Sequence, residues 1–173
     1  MDKIKVVESF MTSAWDGTYG ASCSADCTFT HGGQVMPVDA FFGWCTAVGM
    51  AKAFPDWKWT NAFIEVLPDG RVKIGSQQTT GVLKGDIPAV GPFPEIKLDE
   101  VPKDSPLLSG AGAVLDVEIG YYSFDADGKV CSIEYTGELQ TNPDANTAGY
   151  MPTVGPPLLY AMAGKPLPPP PAQ

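Results

Sequence analysis

The stretch from Ala113 to Leu139, AVLDVEIGYYSFDADGKVCSIEYTGEL, restricts the fold more than any other part of the chain. It reads as two β-strands folded about the turn Asp125-Ala126-Asp127-Gly128, because a strong turn signal between runs of Val, Ile and Tyr marks an antiparallel hairpin. Strand side chains alternate with period two, so Asp116 and Glu118 share one face of the first arm, and Glu134, Thr136 and Glu138 share one face of the second. Acids in such places leave two readings. Either this face is solvated, with Ile133, Tyr135 and Leu139 on the core side, or it lines a pocket.

A second hairpin is predicted from Trp57–Val66 and Arg71–Leu83 about Leu67-Pro68-Asp69-Gly70. Within its first strand Trp57 and Trp59 have one parity and Ile64 and Val66 the other, which calls for a bulge or for a sheet covered on both faces. Ahead of the hairpins, Ile4, Val7, Phe10, Met11 and Ala14 recur at helical spacing and predict a helix over 2–16. Phe41, Phe42, Cys45, Val48 and Ala51 do the same over 38–54, with Pro37 and Asp39 suited to the first turn and Pro55 as the stop. Between these helices Cys27–His31 reads as a short strand closed by Gly32-Gly33.

Residues 85–111 are too rich in Pro and Gly for a regular element and predict a long loop, the kind that often serves as a lid or binding loop. Residues 140–173 read as irregular. The last 23 residues hold 8 of the 17 prolines, so KPLPPPPAQ is expected to be polyproline II or disordered. The sum is one α+β domain over 1–145 and a Pro-rich tail over 146–173. Two helices packed on a curved antiparallel sheet make a cone-shaped α+β barrel whose open end can hold a ligand.

Composition narrows the function. A net charge of -9 with a single arginine, Arg71, argues against nucleic acid as partner, since phosphate binding needs clustered Lys and Arg. No apolar run approaches the roughly 20 residues of a membrane helix, so no membrane partner is expected. The amino end lacks the pattern of a secretory signal, and the cytoplasm is the expected compartment. Cys23, Cys27, Cys45 and Cys131 lack Cys-x-x-Cys spacing, and the chain has one histidine, so free, mostly buried thiols are expected rather than a metal site. There is neither a Gly-x-Ser-x-Gly serine nor a phosphate loop.

What remains is acid/base chemistry. His31 is the one side chain of a type that titrates near neutrality, and suits proton transfer or a bond to a substrate carbonyl. Burying a carboxyl brings it toward the range a general acid or base needs, which makes the strand acids Glu138, Glu134, Asp116 and Glu118 candidates wherever their face turns inward. Gln78 and Thr80 interrupt the apolar parity of Val72, Ile74 and Val82, as a ligand-orienting wall does, while Tyr122 and Trp59 offer a donor and an apolar surface.

Three local patterns give these candidates a setting. Ala53-Phe54-Pro55-Asp56, then Thr80-Gly81-Val82-Leu83-Lys84-Gly85 with Ile87-Pro88 and Gly91, then Asp127-Gly128-Lys129-Val130 occur in order over residues 2–140. In this the chain resembles the SnoaL-like polyketide-cyclase branch of the nuclear-transport-factor-2-like superfamily. The resemblance implies a catalytic carboxylate ten residues beyond the turn glycine, at Glu138, an intramolecular aldol closure without a cofactor, and a homodimer paired through the outer sheet. The chain departs from the family at two histidines: Thr79 stands at the first position, and the second falls near Gly120 or Tyr121. The expected function is a cofactor-independent cyclase, isomerase or lyase acting on a small, largely apolar ligand; the alternative is a non-catalytic ligand-binding or dimeric assembly module.

Overall fold

A computed structural model describes residues 2–14, 18–31, 33–47, 50–89, 93–110, 112–147 and 156–167, giving only the backbone at 43–47, 50–51 and 156–157. The chain forms two compact units. The first comprises Met1–Val48, Trp59–Gln78 and Asp116–Asn142, and the second Gly49–Lys58, Thr79–Leu115 and Pro143–Gln173.

The first unit opens with α1 (Lys3–Ser13), started by Asp2, whose carboxylate accepts from the Lys5 amide. Its stripe of Val7, Phe10 and Met11 is buried, as the spacing predicts. Next come β1 (Cys23–His31), β2 (Gln34–Pro37) and α2 (Val38–Ala47). The helix predicted over 38–54 is thus divided, with α3 (Met50–Ala53) a separate turn; Val48 and the side chains of Cys45 and Ala51 lie outside the described residues. The two predicted hairpins are present as β3 (Lys58–Val66) with β4 (Val72–Thr79), and β5 (Val117–Phe124) with β6 (Val130–Gln140).

These strands make one sheet in the order β2-β1-β6-β5-β4-β3. The β1–β6 pair is parallel, whereas β1–β2, β4–β5 and β5–β6 are antiparallel. The strand read as five residues long is nine, and β2 is an edge strand that sequence reasoning missed. Gln34, Val35 and Pro37 are exposed, so no alternation of apolar and polar residues betrays it. In β3, Trp59 and Ile64 both pack against the core although their parity differs, in keeping with the predicted change of face. The core lies between one sheet face and the helices: Val7, Phe10 and Met11 of α1, Phe42 of α2, Phe29 of β1, Val72 and Ile74 of β4, Tyr122 of β5, and Ile133 and Tyr135 of β6.

In the second unit the described residues of the predicted loop, 85–89 and 93–110, include single turns of tight helix at Leu98–Glu100 and Pro106–Leu108. These residues are pinned together by the Ile87–Ile96 bridge and by Asp86, which accepts from Lys97 and from the Leu98 amide. Within the stretch read as an irregular tail, Pro156–Met162 forms α4, with Leu158, Leu159, Tyr160 and Met162 buried. Prolines in a first helical turn forfeit no hydrogen bond, which is why a Pro-rich stretch can begin a helix. Of KPLPPPPAQ, residues 168–173 lie outside the described residues. No helix among the described residues is long and apolar enough to cross a membrane.

The thiols behave as expected where described. Cys23 and Cys27 are free and buried, and Cys131 is free and half-buried. Burial, reinforced by Cys23 and Cys131, pushes the Cys27 thiol up to about 12. The thiolate is the reactive form, so at pH 8 Cys27 is expected to alkylate on the order of a thousandfold more slowly than an ordinary cysteine. Mass spectrometry after iodoacetamide treatment should find Cys27 unlabelled in the native protein and labelled in urea; rapid native labelling contradicts the packing of β1.

Candidate functional site

The site is built on the core face of the first unit, and strand register decides which acid reaches it. Tyr122 stands opposite Ile133 and Gly120 opposite Tyr135, all on the core side, but the next inward residue of β5, Glu118, stands opposite Leu139. The β6 strand therefore carries two extra residues between Tyr135 and Leu139. Gly137 takes them round at a φ of +81°, open to a residue without Cβ, and Thr136, Gly137 and Glu138 bulge outward. Glu118 faces the core and Glu138 faces solvent.

This corrects the expected position of the acid. Glu138 and Glu134 are both exposed: Glu138 sits in the bulge, and Glu134 stands opposite Tyr121 on the outer face. Neither has the desolvated setting that motivated its choice. Glu118, weighed as an alternative, is only 3% exposed and approaches the histidine: its Oε1 lies 3.0 Å from Nε2 of His31. Asp116 accepts from the Asn142 amide.

His31 occupies the end of β1, opposite Tyr135 of β6, and its side chain is 31% exposed. One member of the pair is thus sealed in the core and the other reaches water. A carboxylate oxygen accepts, so the contact suits an Nε2–H that donates to Glu118 and leaves Nδ1 as the ring's other nitrogen. The Phe29 ring runs parallel to the imidazole, at 10° with its centroid 6.4 Å away, and Phe41 stacks on Phe29 at 4.0 Å. The imidazole therefore has one apolar flank and one anchored nitrogen.

Polar groups continue along the core face. Ser76 of β4, fully buried, is the register partner of Glu118, and its hydroxyl accepts from the indole N–H of Trp59. The Tyr135 hydroxyl lies 3.5 Å from that of Tyr122. Burial raises both tyrosines well above their ordinary range, so they stay neutral hydroxyls. Gly120 makes room for this arrangement: a Cβ there would lie 2.9 Å from the Tyr135 ring. We expect Gly120→Ala to cost about 1–3 kcal/mol by overpacking, read as a lowered urea midpoint, and to displace the Tyr135 ring. A neutral substitution contradicts the close approach.

Of the residues predicted for the site, His31, Trp59 and Tyr122 belong to this cluster. Gln78 is half-buried on β4, two residues beyond Ser76. Thr80 lies in the second unit, where its hydroxyl accepts from the Ala113 amide and donates to the Gly81 carbonyl, so its polarity is used in holding the backbone. Ser76 and Tyr135 were missed. A signal existed in Gly120, since a glycine inside a strand marks the close approach of another group.

No protein-family model matches the chain, and no curated protein matches it. Solved structures do. The chain is similar to AclR, a protein of Streptomyces galilaeus, at 14% identity and a TM-score of 0.53, over 95% of this chain and 98% of that one. It is similar also to an uncharacterized cystatin fold protein from Novosphingobium aromaticivorans, at 15% identity and a TM-score of 0.51, over 78% and 97%. An NTF2-like protein of unknown function from Cytophaga hutchinsonii matches at 8% identity and a TM-score of 0.48, over 81% and 91%. Two predicted long hairpins joined in one six-stranded sheet, an apolar helix stripe packed on it and the likenesses to AclR and to the cystatin fold protein agree: the chain has a cystatin-like α+β fold.

Proposed function

We propose that the protein is a cofactor-independent acid/base enzyme of the cyclase, isomerase or lyase kind, acting on a small, largely apolar ligand, with His31 as the proton-transferring group and Glu118 as its anchor. The observation that carries the reading is the pair itself, a buried carboxylate 3.0 Å from a histidine that reaches solvent. A carboxylate with so little access to water is costly to keep unless it has a partner, and the partner here is the chain's one histidine. Neutral His31 takes a proton at Nδ1 from carbon beside a substrate carbonyl, Glu118 stabilises the resulting imidazolium, and the same proton is returned to carbon or oxygen of the rearranged product. No electrons are exchanged, so no redox partner is required.

The test begins with the ligand. Protein incubated with a metabolite extract is recovered, and the retained compound is identified and then incubated with fresh protein. We expect its conversion to an isomer or elimination product without added cofactor. Retention of an unchanged compound contradicts the enzyme reading and supports the binding-module alternative. We also propose the homodimer suggested by the family resemblance. Sedimentation at about twice 18.3 kDa supports it, and a single species of 18.3 kDa across concentrations excludes it.

A further inference from the structure

We propose that the site of His31 and Glu118 is built to refuse anions, so that its substrate is a carbonyl compound without a carboxylate, phosphate or other anionic group. The inference rests on the assignment of His31 and Glu118 as the working pair, and adds the charge class of the ligand that this pair accepts.

Charge is segregated along the sheet of the first unit. Both hairpin turns lie at one end of it, since Val72 stands opposite Tyr122 and Phe124 opposite Val130. Cations mark that end. Arg71, just before β4, pairs with Asp69 and lies over the Tyr121 ring, and Lys3 of α1 donates to the Gly70 carbonyl at 2.6 Å. Lys129 belongs to the other turn, where its amide donates to Asp125, and Lys5 pairs with Asp2 at the start of α1. Lys73 lies further along β4, but on the face opposite to Val72 and Ile74, over the Phe63 ring.

The pair lies toward the other end. Glu118 is the register partner of Ser76, which stands roughly 17 Å along the strand from Arg71. Here the charges are acids: Glu118 itself, Asp116 just before β5, and Glu138 in the β6 bulge. The elements around the pair, β1, β2, α2, β5 and β6, contain Asp26, Asp39, Glu118, Glu134 and Glu138 but no lysine or arginine. A helix N-terminus can also receive an anion, but the first turn of α2 already holds Asp39, whose carboxylate accepts from the Tyr19 hydroxyl at 2.7 Å.

Carboxylates and phosphates are recognised by guanidinium or ammonium groups, through charge-assisted hydrogen bonds. Beside His31 stands instead a carboxylate, 3.0 Å away and almost sealed from water, where a like charge is poorly screened. An anion could be held there only by the imidazolium. A ring that already carries both protons has no nitrogen left to take one from carbon, so binding an anion would disable the base. A ligand without an anionic group meets neither obstacle.

The single histidine makes the test direct, since every imidazole resonance of this protein belongs to His31. Imidazole-labelled full-length protein is titrated in dilute buffer at pH 8 with probes that share one aryl ketone and differ in charge: para-methoxyacetophenone, para-acetylbenzoate and para-acetylphenyl-trimethylammonium. Shifts of the imidazole signals, followed by nuclear magnetic resonance, give the affinities. The neutral and cationic ketones are expected to bind at least about tenfold more tightly than the anion, the scale of one nearby unit charge at partial burial. Added salt should strengthen binding of the anion and leave that of the neutral ketone as it was. Gln34→Lys sets a cation at the exposed register partner of His31, and should strengthen binding of the anion about two- to fivefold, the scale of one exposed charge pair.

Equal affinity for the anion and the cation overturns the charge selection alone, because loss of hydration rather than the sign of the field then sets the order. An anion that binds more tightly than the cation overturns it as well, and leaves the pair in place. Imidazole signals indifferent to all of the probes mean that His31 does not face a ligand, which overturns the acid/base reading and this inference together.

Discussion

His31→Gln is expected to reduce turnover of the retained compound by about 10²–10⁴, the contribution of a positioned acid or base, while circular dichroism and the urea midpoint stay near those of the parent. Glutamine keeps much of the size of imidazole and can donate to Glu118, so the buried carboxylate is not orphaned. What it lacks is a nitrogen that takes up and returns a proton at neutral pH. Glu118→Gln should cost less than His31→Gln, because an amide oxygen still accepts from Nε2–H but no longer balances the charge of the imidazolium. Glu138→Gln should leave both kcat and KM as they were, since its side chain lies in the outward bulge. Parent-like kcat in His31→Gln would falsify the assignment; a large loss in Glu138→Gln would return the carboxylate role to the position that the family resemblance implies.

That ordering of Glu118 above Glu138 shows where sequence reasoning stops. The hairpins were legible because Asp-Gly turns and alternating apolar residues are local signals, and α1 was legible because its stripe repeats over three turns. The partner of His31 is 87 residues away, across a parallel β1–β6 pairing that no local pattern announces. Counting parity outward from the turn places Glu118 and Glu138 on faces that can be judged only once the register is known. Two extra residues at Gly137 change which pair of residues meet, although they leave the parity of β6 intact. A glycine between Thr136 and Glu138, in a run otherwise suited to a strand, was the visible trace of that bulge. The prolines at 156 and 157 concealed α4 for a related reason: they forbid a helix interior but not a helix start.

The largest effect on stability is expected at Phe10. Its ring, fully buried, meets three others edge-on: Tyr19 at 5.7 Å and 61°, Phe42 at 5.5 Å and 77°, and Tyr122 at 6.0 Å and 70°. The ring thus joins α1 to α2 and to the centre of β5, and each edge-to-face pair adds about 0.5–1.5 kcal/mol beyond the area buried. Phe10→Ala removes all three pairs and leaves a cavity that rings locked on every side cannot collapse to fill, so the cost should fall in the range of about 3–5 kcal/mol for a buried phenylalanine. Phe10→Leu refills most of the volume and should cost distinctly less. The measurement is the urea midpoint at constant m-value; a loss below about 1 kcal/mol for Phe10→Ala means that α1 is not docked as described. Because Tyr122 is a neighbour of Phe10 and its hydroxyl lies 3.5 Å from that of Tyr135, the register partner of His31, the alanine variant should also shift the His31 imidazole signals in a nuclear magnetic resonance spectrum. Helix docking and the geometry of the acid/base pair are then properties of one packed aromatic cluster, and a substitution more than a hundred residues from Glu118 in sequence can act on it through a single ring.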